Sequence, residues 1–251
     1  MKPVDTCALC HVTNAALIDS HTVSKWVYRR IISYAPSAGT IQIEHGRAGF
    51  SGKQDAKYLL CRQCEELLSI RESYVAQIGL QSDSTTFPAL TQSTALWAHE
   101  AKAVVDVSAL DVEKIAHFAV SVIWRADLAQ SEPIVSLGEW REPLRRYLIG
   151  QEPLPARVNV VITLLKPPPH IPRVDRVLAF PASANDGSYH EFLACGIRFT
   201  VFTSPTMPPP AEEVSLLQKK RALVTDGFAI LRAIADEVQT STAYGKLARD
   251  P

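Results

Sequence analysis

The chain has 251 residues, of which 47% are hydrophobic and 21% are charged, and this composition excludes a disordered polymer. Its 26 basic and 26 acidic side chains cancel, so nucleic acid would have to bind through a local patch and not through overall positive charge. The sequence has neither an apolar stretch of ~20 residues nor an apolar signal segment, so we expect a cytoplasmic protein without a membrane partner.

Two Cys-x-x-Cys pairs lie in the first part of the chain, Cys7 with Cys10 and Cys61 with Cys64, and fifty residues separate them. Each pair can hold one face of a tetrahedral Zn²⁺, and two pairs complete a structural site with four thiolate ligands. His11 is the alternative ligand if one thiolate is replaced. A site closed by four thiolates has no open position, so any catalytic metal would have to be a second ion.

The segments between and after these pairs predict a small folded unit. Apolar spacing predicts a helix over 23–33, and alternation over 41–43 predicts one arm of a hairpin. A short strand over 57–60 would lead into the second cysteine pair, and apolar periodicity beyond it predicts a helix that starts on that pair. Because the two pairs have to meet at one metal ion, residues 1–80 are predicted to form one zinc-binding unit.

The remainder of the chain predicts a second, larger unit. Residues 81–110 are rich in Ser and Thr and are predicted to be a connector, whereas residues 111–251 are predicted to be an α+β unit that recognises a partner or substrate. The predicted helices cover 111–128, 137–149, 212–222 and 228–238, and the predicted strands cover 157–165, 174–180 and 191–202.

Three segments carry a resemblance to a known family: SHTVSK at 20–25, LLCRQCE at 59–65 and FAVSVIWRA at 118–126. The order of a cysteine pair, a histidine-containing strand and a second cysteine pair that runs into a helix resembles the zinc-braced HNH endonucleases. The chain is also similar to uncharacterised bacterial proteins with SHxxPK and LCxxCE motifs. The cysteine pairs are the most specific part of this likeness.

The resemblance implies a fold, an activity and a set of site residues. The fold would be α+β, with an N-terminal four-cysteine zinc-bound ββα-metal domain followed by a larger domain of helices and a small antiparallel sheet. The activity would be hydrolysis of phosphodiester bonds in nucleic acid, foremost DNA, in defence against phage or other foreign DNA. His21 would be the general base, and Glu65 would bind a catalytic Mg²⁺ or Mn²⁺.

Two positions depart from the family pattern. The aspartate expected before the base is Ser20 here, and Asp19 is displaced by one residue, which on a strand places its side chain on the opposite face. The asparagine expected shortly before the second cysteine pair is also missing, since Asp55, Ala56 and Lys57 occupy that region. The alternative is therefore a catalytically inactive zinc module that binds nucleic acid or a protein partner as a subunit of a larger assembly.

Basic side chains on the predicted helix after His21 are candidates for phosphate binding, namely Lys25, Arg29 and Arg30. A solvated helix face explains the same charges. His21 could equally cap that helix, and Glu65 could simply favour the positive end of the helix macrodipole. Further acidic candidates for metal binding are Asp19, Glu66 and Glu72.

Overall fold

The computed structural model describes residues 2–32, 40–44, 47–51, 54–79, 86–99, 102–131, 134–167, 177–184, 186–204 and 207–244. Within these ranges the chain combines helices with three β-sheets, which is an α+β fold as expected from the sequence. None of the helices in these ranges is long and apolar enough to span a membrane.

The first part of the chain forms a three-stranded sheet, in the order β1-β2-β5, and two helices. The predicted hairpin is confirmed as β3 and β4, and it forms a separate sheet with the last strand, β13. The elements, with that last strand, are β1 (Val4–Asp5), β2 (Ala15–His21), α1 (Lys25–Ile32), β3 (Thr40–Glu44), β4 (Arg47–Ser51), β5 (Ala56–Cys61), α2 (Arg62–Ile78) and β13 (Thr242–Tyr244).

Strands β2 and β5 are antiparallel, with Leu17 opposite Cys61 and His21 opposite Ala56. The register shifts between Ile18 and Asp19, and beyond this bulge Asp19 is exposed. Helix α2 begins at the residue after Cys61 and packs on both strands. The chain therefore continues from β5 into α2 without a loop, which fixes the position of the first helical turn relative to β2.

The second part of the chain is built on a seven-stranded mixed sheet, larger than the small antiparallel sheet expected. Its order is β6-β7-β12-β8-β11-β10-β9, and only the β12–β8 pair is parallel among these neighbours. Its elements are α3 (Pro88–Thr91), β6 (Thr94–His99), β7 (Lys102–Asp106), α4 (Val112–Ala129), α5 (Arg141–Leu148), β8 (Asn159–Lys166), β9 (Leu178–Ser183), β10 (Tyr189–Ala194), β11 (Ile197–Phe202), α6 (Pro209–Glu212), α7 (Leu216–Lys219), β12 (Arg221–Asp226) and α8 (Phe228–Thr240).

The differences from the predicted elements have local causes. Strands β6 and β7 lie in the Ser/Thr-rich stretch that was expected to connect the units. The helix expected over 212–222 is not continuous: α6 ends at Glu212, α7 begins at Leu216, and the left-handed backbone of Lys220 (φ 52°) ends α7 before β12 begins. The strand expected over 191–202 is a hairpin, since Cys195 and Gly196 have φ angles of 51° and 75° and form its turn.

Helix α4 is the central element of the core. It confirms the helix predicted over 111–128: Asp111 caps its first turn by accepting a hydrogen bond from the Lys114 backbone amide at 3.1 Å. Phe118, on the face of α4 that meets the sheet, lies 5.3 Å from the ring of Phe199, which stacks on Phe192 at 4.7 Å. One continuous hydrophobic cluster includes these rings and also apolar side chains of β5 and α2, so both parts of the chain share a core.

We predict that Phe118→Ala lowers the free energy of unfolding by about 3–5 kcal/mol, because it removes a ring that is 0% exposed and leaves a cavity. Phe228→Ala is the matched control: Phe228 is 46% exposed, and its loss should change stability by less than about 0.5 kcal/mol. Urea unfolding of zinc-loaded protein measures both values. Equal effects would contradict the central role of α4.

Candidate metal centre and the polar cluster beside it

The four cysteines of the two pairs converge at one point. The Sγ atoms of Cys7, Cys10, Cys61 and Cys64 all lie within 4.8 Å of one another, and those of Cys10 and Cys61 are 3.9 Å apart. Thiolates bound tetrahedrally to zinc at 2.3 Å are about 3.8 Å apart. The four side chains could therefore hold a metal ion such as zinc, whereas His11 is exposed and is not a member of this cluster.

Backbone hydrogen bonds build the first of the two cysteine turns. The amide of Cys7 donates to the carbonyl of Val12, and the amide of Ala8 donates to the carbonyl of Leu59, both at 3.0 Å. The amide of Cys61 donates to Cys7 Sγ at 3.3 Å. Burial disfavours the Cys7 thiolate, but backbone amides overcome this effect and lower the pKa of Cys7 to about 7.

Burial and the neighbouring thiols raise the pKa of Cys64 well above its ordinary value. Four clustered thiols cannot all ionise together unless a cation balances their charge, so metal binding at this cluster releases protons. Deprotonation of the four thiols and binding of a metal ion therefore favour each other at this cluster.

Arg145 on α5 fastens the second part of the chain to the metal centre. Its Nη1 donates to the carbonyl of Leu9, inside the first cysteine turn, at 2.6 Å. Its Nε and Nη2 each donate to a carboxylate oxygen of Glu142 at 2.8 Å. The order of the cysteine turn and the position of α5 are therefore coupled.

A polar cluster lies beside the metal centre, where α2 faces the end of β2. Ser20 is fully buried, and its hydroxyl donates to Glu65 Oε2 at 3.2 Å. Burial raises the pKa of Glu65, and the positive charge of Arg125 opposes this shift. The negative charges of Glu72 and Asp19 add to the effect of burial. Glu65 is thus a carboxylate whose charge depends on its neighbours.

Arg125, in the second half of α4, was not predicted to contact the acidic side chains of α2. It is 1% exposed, and its Nη2 donates to Glu72 in a short ion pair. Its Nε donates to the carbonyl of Ser121 at 3.3 Å, and its Nη1 lies 4.0 Å from Glu65 Oε1. The charged side chain inside an apolar run was the available sequence signal, because a buried arginine needs an acidic partner.

His21 is 8% exposed and lies at the end of β2, next to Ser20. Its Nε2 is 2.9 Å from Gln54 Oε1, and because an amide oxygen only accepts, Nε2 carries the proton. Its Nδ1 is then the nitrogen that can accept a proton. Gln54 was not predicted from the sequence, where it lies in a segment without a motif.

Asp55 lies in the segment where the HNH pattern has an asparagine. Its side chain connects the residue that follows β2 to the segment that follows α4. Thr22 donates to one of its carboxylate oxygens at 2.5 Å, and Ser131 donates to the other at 2.7 Å. Its backbone amide donates to the hydroxyl of Tyr28 at 3.4 Å. Burial raises the pKa of Tyr28 to about 12, so this hydroxyl stays protonated.

The basic residues predicted to bind phosphate have different surroundings. Lys25 and Arg29 are exposed on α1. Arg30 is half-buried, where its Nη2 donates to the carbonyl of Ala76 at 2.9 Å and its guanidinium lies 5.1 Å from the ring centroid of Trp26. Only the first two of the three therefore present their charge to solvent.

Within the described ranges, the four cysteines are the only group of three or more His, Cys, Asp or Glu side chains close enough to hold a metal ion. Glu66 is exposed, and Glu72 is engaged by Arg125. Comparisons with protein-family models, with curated proteins and with solved structures find no match to this chain. The chemistry of these residues is therefore the basis on which a function can be proposed.

We predict that Cys61→Ser abolishes stoichiometric zinc binding and unfolds the first part of the chain, because structural zinc contributes on the order of 10 kcal/mol to the folding of such motifs. Cys195→Ala is the matched control, since Cys195 is buried in the β10–β11 turn and is not part of the cluster. Metal analysis and circular dichroism measure the outcome. Retention of one zinc per chain by Cys61→Ser would contradict the assignment.

Proposed function

We propose that this protein is a metal-dependent, HNH-like endonuclease that hydrolyses phosphodiester bonds of nucleic acid, foremost DNA. The observation that carries the proposal is the hydrogen bond from Ser20 on β2 to Glu65 on α2. His21 follows Ser20 on the same strand. Ser20 lies on β2, which pairs with β5, and Glu65 lies on α2 beside the four converging cysteines; this combination supports the proposal of a zinc-braced ββα-metal arrangement.

The donor atoms of this cluster suit a hard divalent cation. Glu65 supplies a carboxylate whose side chain is 24% exposed, and Ser20 supplies a hydroxyl oxygen 3.2 Å from it. Oxygen donors favour Mg²⁺ or Mn²⁺ over the softer metals that thiolates select. In the family pattern the strand provides the carboxylate; here the helix provides it through Glu65. The negative charge is retained although Ser20 replaces the aspartate.

A cation held by Glu65 would stabilise the charge that develops on the scissile phosphate and on the leaving oxygen. The chain's own residues provide the base. Gln54 fixes the proton of His21 on Nε2, so Nδ1 is available to take a proton from the attacking water. Lys25 and Arg29 are exposed on the helix that follows His21, where they can hold the phosphates of the strand being cut.

We predict that His21→Ala loses cleavage of supercoiled plasmid and single-stranded DNA by about 10²–10⁴-fold in Mg²⁺ or Mn²⁺, as expected when a general base is removed. His11→Asn should retain wild-type cleavage, because His11 is exposed and asparagine tolerates its φ of 61°. EDTA should abolish cleavage by the wild type.

Because His21 is buried, zinc content and melting temperature have to be measured for each variant. His21→Gln keeps an amide nitrogen near the position of Nε2 that can donate to Gln54, so it separates loss of the base from loss of the local fold. Full cleavage by either His21 variant, with zinc retained, would contradict the proposed role of His21.

The second candidate function is a zinc module that binds nucleic acid without cutting it. It is favoured by the observation that no second group of three metal-ligating side chains lies within the described ranges. In such a module the four cysteines would only build a surface, and the exposed side chains of Lys25 and Arg29 would contact phosphates.

Titration of zinc-loaded protein with Mn²⁺ distinguishes the two functions. A cation that binds only the native state raises its stability, by about 2.7 kcal/mol at one hundred times the dissociation constant. We expect this rise in melting temperature for the endonuclease. The binding module predicts no rise, together with DNA affinity that falls in Lys25→Ala but not in Lys219→Ala, an exposed lysine on α7.

A further inference from the structure

The guanidinium of Arg125 lies between two carboxylates of α2 but is not shared equally by them. It donates to Glu72 in a short ion pair, whereas its nearest approach to Glu65 is 4.0 Å, longer than a hydrogen bond. Glu65 accepts instead from the hydroxyl of Ser20. The carboxylate proposed to bind a cation is therefore beside a permanent positive charge without being bound to it.

Glu72 is the group that holds this charge in place. The side chains of Arg125 and Glu72 are 1% and 11% exposed, so water cannot take the place of their contact. The Ser121 carbonyl fixes only Nε, and the two terminal nitrogens face carboxylates. If Glu72 lost its charge, Glu65 would be the nearest remaining anion, and a bidentate contact with it is the strong geometry for a guanidinium.

We propose that Glu72 is a positioning residue that retains Arg125 and thereby keeps Glu65 available to a divalent cation. This inference rests on the proposed function. The inference makes the proposed cation site depend on Arg125, which lies on α4 and not within residues 1–80. A purely structural pair would not require this arrangement, since apolar residues of similar volume often replace a buried ion pair without loss of stability.

The test measures Mn²⁺ binding to zinc-loaded, full-length protein by electron paramagnetic resonance of the free ion, with the cysteine site already saturated. Glu72→Gln should weaken Mn²⁺ binding roughly 10–100-fold, the range for a residue that supports a metal ligand. Glu113→Gln is the matched control, because Glu113 is an exposed carboxylate on α4, the helix that carries Arg125, and this variant should bind Mn²⁺ like the wild type.

The double variant Glu72→Gln with Arg125→Gln decides between positioning and packing. If Glu72 acts by retaining Arg125, removing the guanidinium restores Mn²⁺ binding to within a few-fold of the wild type, although stability does not recover. If the pair only packs the helices, the double variant binds Mn²⁺ no better than Glu72→Gln. Unchanged binding in Glu72→Gln, or no Mn²⁺ binding by the wild type, also overturns the inference.

Cleavage measured on the same samples separates this inference from the proposed function. Suppose that wild-type protein binds Mn²⁺ but cuts no substrate, that Glu72→Gln loses Mn²⁺ binding and that the double variant regains it. This result would support the positioning role and refute the nuclease. If wild-type protein cuts DNA in Mn²⁺ and Glu72→Gln needs the same Mn²⁺ concentration for cleavage, the result would support the nuclease and refute the positioning role.

Discussion

The convergence of four thiols is the constraint on which the first part of the chain depends. Closing the fifty residues between the cysteine pairs costs about 3–4 kcal/mol of chain entropy by the loop-length relation. Zinc binding in comparable motifs contributes on the order of 10 kcal/mol, which exceeds this cost. Once Cys61 is fixed, β5 is paired with β2 and α2 starts at the next residue. The four-cysteine cluster therefore sets the relative positions of Ser20 and Glu65, although neither residue belongs to it.

Helix α4 links this arrangement to the larger sheet. Phe118 and Arg125 are seven residues apart and therefore lie on the same stripe of the helix. The first packs against the aromatic rings of β10 and β11, and the second reaches α2. Asp127, fully buried two residues later, pairs with Arg141 at the start of α5. A single element thus anchors the sheet, the polar cluster and the helix that supports the first cysteine turn.

The sequence predicts those features that depend on local pattern. Four cysteines in two Cys-x-x-Cys pairs are typical of a single zinc site. The apolar period of α4 is long and uninterrupted enough to identify a buried helix. The hairpin of β6 and β7 escaped prediction because it lies in a Ser/Thr-rich stretch that is typical of a connector, and β12 escaped because its partners β7 and β8 are distant in the sequence. The contact between Arg125 and Glu72 escaped prediction because the two residues are 53 positions apart and no local pattern relates them.

The exposure of the acidic side chains argues that this cluster is more than a device for stability. Glu72 is enclosed and neutralised by Arg125, whereas the Glu65 side chain is 24% exposed and is held by a neutral hydroxyl. A buried ion pair seldom stabilises a fold more than apolar side chains would, so stability alone gives no reason to place three charges here. In surroundings poor in water, a partly exposed carboxylate attracts a cation that reaches it more strongly than it would in bulk water. Packing of α2 on α4 accounts for the Glu72–Arg125 pair at most, and it gives no reason for Glu65 to be left partly exposed beside that pair.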